Sequence, residues 1–285
     1  MRRRRRTTKW LLAVYFLIFV IFLYGPMLVM GVLSLQGPTG GITFPMQGFG
    51  FGWWKALVNG YNADLIRTTA IRSLKLAVVS GALVALLALG LSTAYRRRFR
   101  GDGTLFYLIM LALMTPGFLL SLGTALFWQY LGHVPGLWQT ALGTNVVWGI
   151  PFGFLVMVAV WNRYDSGVEE AARDLGAGKL RTYREVTIPL IWTGLFGAFL
   201  FGLTLSWNEY DRTALVLAAD QATLPVQIFA FTVSSVIRPD LYALGTATTL
   251  VSLIAVGIFL TAAALYLRRR GLVVETPPDG PEMTP

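Results

Sequence analysis

Charged residues are sparse along this chain, and the apolar gaps between them are long. A helix needs about 20 mostly apolar residues to cross a hydrocarbon core of about 30 Å. The first gap runs from Trp10 to Trp54. Its apolar front part predicts a span over 11–35, and its Gly- and Pro-rich remainder predicts a loop. The gap Leu76 to Tyr95 predicts a second span, over 69–95. Gly103 to Asn162 carries no charge and is long enough for two spans, over 104–129 and 141–161. The turn-forming cluster Gly132-His133-Val134-Pro135-Gly136 separates them. Val186 to Asn208 predicts a fifth span over 187–209, and Leu241 to Leu267 a sixth over 241–267. Barrel strands would alternate in hydrophobicity, and these runs do not. The pattern therefore predicts an all-α polytopic membrane protein with six transmembrane helices.

Composition agrees. Of 285 residues, 55% are hydrophobic and 13% charged, with a mean hydropathy of +0.61. An ordinary soluble enzyme and a disordered chain are both excluded. The absence of cysteine removes disulfides and thiolate chemistry. The net charge of +10 invites a nucleic-acid reading, but the basic residues fall elsewhere. They cluster at Arg2 to Arg6 and Lys9, at Arg96 to Arg100, in the loop after span four, and at Arg268 to Arg270. With six spans, all four clusters lie on one side. Basic loops stay in the cytoplasm, so the N-terminal 1–10 and the tail 268–285 are both expected inside. The basic N-terminus reads as a topology anchor touching anionic membrane lipid, and no nucleic-acid partner is expected.

The loop 162–186 is different from the other connections. It holds five basic and five acidic residues. Asp165 or Ser166 can cap a short helix with acids in its first turn. Gly176 and Gly178 would end that helix, a second short helix would follow, and Pro189 would sit at the start of the next span. Two amphipathic helices joined at a glycine suit a protein groove. The alternative from chemistry alone is a solvated hairpin.

The stretch Glu170-Ala171-Ala172, three residues, Gly176, nine residues, Val186-Thr187-Ile188-Pro189 resembles the EAA loop of the permeases of binding-protein-dependent ABC importers. The family pattern is E-A-A-x3-G-x9-I-x-L-P, and this chain differs only in Val186 and Ile188. The resemblance implies a type I ABC importer permease fold over 11–267, in a bacterial inner (cytoplasmic) membrane. It implies that Glu170, Ala171, Ala172, Gly176, Ile188 and Pro189 couple to an ATPase. It implies a second, different permease subunit, two ATPase subunits and an extracytoplasmic solute-binding protein. Residues 68–95, 141–161 and 201–253 resemble the spermidine/putrescine permease subfamily. The clearest stretches are Leu205-Ser206-Trp207-Asn208-Glu209-Tyr210-Asp211 and Thr223-Leu224-Pro225-Val226-Gln227-Ile228. Permeases for phosphonates, ferric iron and thiamine share much of this layout.

The chain is not expected to be an enzyme. It has no G-x-x-x-x-G-K-[ST] phosphate loop; near Gly176-Ala177-Gly178-Lys179, Arg173 and Leu180 stand where Gly and Ser/Thr are needed. No H-E-x-x-H or G-x-S-x-G occurs, and the single histidine, His133, falls in a turn. No cofactor or metal is expected in this chain; ATP and Mg²⁺ belong to the partner ATPase. Charges near membrane depth point to a pathway. Glu209 and Asp211, beside Trp207, Asn208 and Tyr210, suit a cationic amine through charge and cation–π attraction. An interfacial pairing of either acid with Arg212 is the alternative. Arg72 and Lys75, three apart near the outer mouth of span two, would instead suit an anion, or snorkel to headgroups. Gly149-Ile150-Pro151-Phe152-Gly153 marks a kink or a close helix contact. The loop 36–62 either lies on the membrane or meets a binding protein. Two rivals from other classes are an ion-coupled secondary transporter, disfavoured because this chain carries no acid at mid-span for a coupling site, and a membrane scaffold.

Overall fold

The computed structural model describes residues 2–234 and 239–269; Arg238, Arg270 and the tail after it lie outside the described residues. Among the described residues the fold is helical, and the β pairing is an isolated antiparallel bridge between Gln36 and Phe49. In chain order the helices are α1 (Arg2–Leu33), α2 (Gly52–Asn59), α3 (Ala63–Arg96), α4 (Asp102–Met114), α5 (Gly117–Tyr130) and α6 (Leu142–Trp161). Then come α7 (Gly167–Asp174), α8 (Lys179–Thr182), α9 (Ile188–Trp207), α10 (Asp211–Ala214), α11 (Leu224–Ser234) and α12 (Pro239–Arg269). A wider π turn, Leu137–Ala141, leads into α6, and another, Tyr183–Thr187, joins α8 to α9.

Among the described residues, five continuous helical segments are long and apolar enough to cross a membrane: Lys9–Leu33, Ala63–Arg96, Leu137–Trp161, Lys179–Trp207 and Pro239–Tyr266. Helices α4 and α5 make the sixth span only as a broken pair, bent by 99°. This corrects the single span expected over 104–129. Thr115 and Pro116 both take extended backbone at the break. The proline drives its predecessor out of the helical region and supplies no N–H of its own. Counting apolar residues cannot register that.

Three helices, α3, α6 and α9, form the core. Lipid is as apolar as leucine, so membrane helices gain most from close packing of small residues. On α9 the buried residues Gly194, Ala198, Gly202 and Ser206 recur every four positions, which forms one flat ridge. Around Gly202 and Ser206 it meets Ser80, Gly81 and Val84 of α3, all buried. A Cβ on Gly202 would come within 2.8 Å of the Gly81 Cα, so the two backbones touch. Gly149 and Gly153 of α6 abut Val84 in the same way, so the G-x-x-x-G packs inward. Asn145 Nδ2 donates to Ser206 Oγ (3.0 Å), and Ser206 Oγ donates to Ser80 Oγ (3.3 Å). That chain links all three core helices in apolar surroundings.

The flanking helices are layered outside. Helix α1 packs on α12, and α2 on α12 and α3. Their outer apolar faces are uncovered, as lipid-facing or subunit-facing spans require. The loop 36–62 is ordered around buried Gln36, which donates to the Gly41 carbonyl (3.2 Å) and accepts from the Gln47 N–H (2.8 Å).

Candidate functional site

The loop after α6 begins with an Asx-type start. Asp165 Oδ1 accepts from the Gly167 N–H (2.9 Å), with Glu169 and Glu170 in the first turn of α7. The helix ends in a Schellman motif: the Gly176 N–H donates to the Arg173 carbonyl (2.8 Å) and the Ala177 N–H to the Ala172 carbonyl (3.0 Å). Gly176 has φ +87°, the left-handed region that glycine adopts freely. The expected second helix is present as α8, but it runs through the π turn straight into α9. The helical segment that contains the expected fifth span is thus continuous from Lys179 to Trp207. Pro189 cannot donate to the carbonyl four residues back, and the widened turn just before it accommodates the loss.

Two acids stand side by side in α7, and the structure gives them opposite roles. Glu170 is exposed. Glu169 turns inward and binds the bundle. Arg96, at the end of α3, donates from Nη1 to Glu169 Oε1 (2.9 Å). The Arg96 guanidinium lies 4.5 Å from the Trp161 ring centre and 4.6 Å from that of Tyr164. Thr187 Oγ1 donates to the same carboxylate oxygen (3.1 Å), and Tyr164 Oη donates to Thr187 Oγ1 (3.3 Å). Trp161 Nε1 in turn donates to Ser92 Oγ of α3 (3.0 Å). Burial pushes the Glu169 carboxyl up, but hydrogen bonds from Arg96, Tyr164 and Thr187 outweigh it and hold the group below its ordinary value. Burial raises Tyr164. One carboxylate thus ties α7 to α3, to the end of α6 and to the root of α9. Glu169, Arg96 and Thr187 were not singled out from the sequence. The only hint was the spacing of Glu169 and Arg173, an i,i+4 pair at 3.5 Å.

The opposite face of the loop is apolar and free. Leu175 is 90% exposed and Leu180 80%, with Ala171 and Val168 also uncovered. The motif is thereby divided. Ala171 and Gly176 lie on the exposed side, and Ala172 is half-buried. Ile188 packs against the core of α3, α6 and α9, and the Pro189 carbonyl accepts from Tyr266 Oη of α12 (3.0 Å). The last two belong to the bundle rather than to the exposed face. Replacing Gly176 with valine meets no neighbour, since nothing lies within 4 Å of its Cβ position, yet forces a β-branched residue to φ +87°. The expected cost is about 1–2 kcal/mol. It should appear as faster amide exchange confined to the end of α7; unchanged exchange there would refute the left-handed bend.

The second set of residues is dispersed. Trp207 is buried, with Nε1 donating to the Thr248 carbonyl (3.4 Å). Asn208 Nδ2 donates to the Thr204 carbonyl (2.9 Å) and to Ser252 Oγ (3.4 Å). Both residues line a cavity of about 170 Å³ with Leu224, Pro225 and Ile228. Glu209 is buried and ion-paired with Arg212, whose N–H also donates to Glu209 Oε1 (2.7 Å). The Arg212 guanidinium lies 4.2 Å over the Trp148 ring, and its carbonyl accepts from Ser121 Oγ of α5 (2.9 Å). The Tyr210 and Phe229 ring centres lie 4.4 Å apart, with the rings tilted by 37°. Asp211 alone of the two acids is exposed. The expected carboxylate pair is therefore split, with one charge neutralised inside the chain. Arg72 donates to the Asp220 carbonyl (2.6 Å), which ties the mouth of α3 to the turn before α11. Among the described residues no group of three or more His, Asp or Glu could hold a metal ion.

A family model described as the binding-protein-dependent transport system inner membrane component matches residues 86–272. The spermidine/putrescine transport system permease protein PotC of Escherichia coli K12 is 28% identical over 239 residues, covering 82% of this chain and 87% of that protein. Its Haemophilus influenzae counterpart is 26% identical, covering 81% and 88%. The putrescine transport system permease protein PotI of Escherichia coli K12 is 28% identical over 233 residues, covering 79% and 80%. Among solved structures, a bacterial ABC transporter for import of the acidic polysaccharide alginate aligns over 93% of this chain and 98% of its own, with a TM-score of 0.66 at 19% identity. The MetNI methionine ABC transporter aligns with a TM-score of 0.54 over 72% and 95%, also at 19% identity.

Proposed function

We propose, from the premise that this chain belongs to the family of binding-protein-dependent transport system inner membrane components, that it is the permease subunit of an ATP-driven importer of polyamines or a related small amine. The protein is a multi-pass transport subunit of the bacterial inner membrane. The observation that carries the coupling role is the two-faced loop, with Glu169 locked to the bundle and Leu175 and Leu180 bare. A partner ATPase, holding its own ATP and Mg²⁺, would receive the bare face in a groove. Its motion would pass through Glu169 to Arg96 and Thr187, and so to α3 and α9 together. Gly176 sets the angle of the lever. A second permease subunit of a different sequence, a second ATPase and an extracytoplasmic binding protein complete the assembly. The basic clusters support a cytoplasmic placement of the loop and of both termini.

The polyamine assignment is supported by the PotC and PotI relatives, each matched over about four-fifths of this chain. Exposed Asp211 beside Tyr210 suits a cation on its route. The test is the assembled complex in vesicles with a polyamine-loaded binding protein. Spermidine or putrescine should stimulate ATP hydrolysis and enter the vesicle. Stimulation only by phosphonate, ferric iron or thiamine would move the substrate to another class and leave the coupling role intact. Paired changes Leu175→Asp and Leu180→Asp should abolish co-purification with the ATPase, because each puts an uncompensated charge into an apolar contact. Undiminished co-purification would show that this face does not dock.

A further inference from the structure

Beside the docking face, at the end of α3, lies a cavity of about 750 Å³ between α3, α6 and the loop of α7 and α8. Its wall carries Arg96, Arg97, Arg173 and Lys179 against a single carboxylate, Glu169. That carboxylate is already engaged by Arg96 and Arg173. Among the described residues the ion pairs are these two together with Arg181–Glu185 and Arg212–Glu209, so Arg97 and Lys179 have no acidic partner. Thr93 Oγ1 lines the same wall, is shielded from solvent and has no hydrogen-bond partner. A neighbouring cavity of about 370 Å³ shares Arg96 and Trp161 and adds Arg98. The protein has therefore assembled an excess of positive charge around a space it does not fill.

The shape and depth narrow the occupant. A space of 750 Å³ is far larger than a single inorganic ion and falls in the range of organic ligands. Guanidinium groups match the oxygens of a phosphate in paired hydrogen bonds, and an ammonium adds a point charge. The cations begin where the apolar run of α3 ends, and basic pockets at the cytoplasmic ends of spans attract anionic lipid. We propose that this cavity binds the phosphate of an anionic phospholipid headgroup from the adjoining leaflet. Bound there, the lipid neutralises the cations packed against α7 and steadies the loop, leaving Leu175, which does not line the cavity, open.

The test uses the full chain purified in detergent and native mass spectrometry, with phosphatidylglycerol, phosphatidylcholine and inorganic phosphate as separate probes. Phosphatidylglycerol should be retained over phosphatidylcholine by roughly thirtyfold, the size set by two interfacial cations. The double variant Arg97→Gln with Lys179→Gln should lose that preference while keeping its helical content and monodispersity. Thr93→Val, a smaller change, should weaken it only partly. Equal retention of the two lipids by the native chain would overturn the proposal. So would an undiminished preference in the double variant, or binding of inorganic phosphate without binding of lipid. The measurement needs no ATPase or substrate, so its failure and a failure of the importer reading are separate results.

Discussion

Gly202→Val should force α3 and α9 apart and strongly destabilise the three-helix core. A side chain at this position meets backbone: its Cβ would lie 2.8 Å from the Gly81 Cα and 2.8 Å from the Val84 Cβ. Neither is the end of a flexible side chain, so no rotamer change can relieve the contact. Helices α3 and α9 must separate, and the separation also opens the Asn145–Ser206–Ser80 hydrogen bonds. Overpacking in a dense core costs about 1–3 kcal/mol, and backbone collision places this site at the upper end or above. Gly90→Val on α3 is the matched control, since nothing lies within 4 Å of its Cβ position. Thermal unfolding in detergent should show Gly202→Val far less stable than Gly90→Val. Equal stability of the two would show that α3 and α9 do not meet as described.

The second large effect concerns the latch. Arg96→Ala should leave α7 present but loosely held, because the inward Glu169 loses its main partner while keeping the cost of burial. Hydrogen bonds to charged groups contribute about 1.5–3 kcal/mol, and the two side chains are only 25% and 16% exposed. Every 1.4 kcal/mol is a factor of ten, so transport per ATP hydrolysed should fall by roughly tenfold or more. Glu169→Gln should fall as well, and the double change Arg96→Ala with Glu169→Gln should cost less than the two singles added together. Strict additivity would mean that the two residues do not act through one another. A merely structural role would lower the yield of protein without changing the ratio of transport to hydrolysis.

The same latch carries a pH dependence of defined sign. The Glu169 carboxyl is held below its ordinary value of 4.5 in the folded protein. The folded state thus binds fewer protons at this group than the unfolded state near that pH. The stabilisation is fully present above 4.5 and is lost as pH falls through the lowered value. Amide exchange of α7, corrected for intrinsic rate, should stay constant from neutral pH down to about pH 5 and rise only in more acidic solution. Loosening between pH 6 and 7 would assign the latch to some other group.

How much of this was legible beforehand follows from what each signal measures. Hydropathy is a property of one residue against lipid, so the charge-free runs picked out helices long and apolar enough to cross a membrane without knowledge of neighbours. The motif from Glu170 to Pro189 marked the loop, and the left-handed turn at Gly176 is a local backbone fact that a glycine announces. Residues that act through rotation were hidden. Glu169 and Glu170 are adjacent and chemically alike, and only the packing of α7 on α3 and α9 decides which one turns inward. Glu209 and Asp211 read as a pair, yet burial against Arg212 and Trp148 removes one from the exposed surface.

The chain's own order of apolar, basic and glycine residues determined that it crosses the membrane several times and which loop carries the family motif. The tertiary structure decided which side chains face each other: the Gly81–Gly202 contact, the 99° break at Thr115 and Pro116, and the Arg96–Glu169 latch. The physical reason is range. Transfer into lipid is summed residue by residue along the sequence, whereas the rotation of one helix against another is set by the fit of small side chains from three distant segments at once.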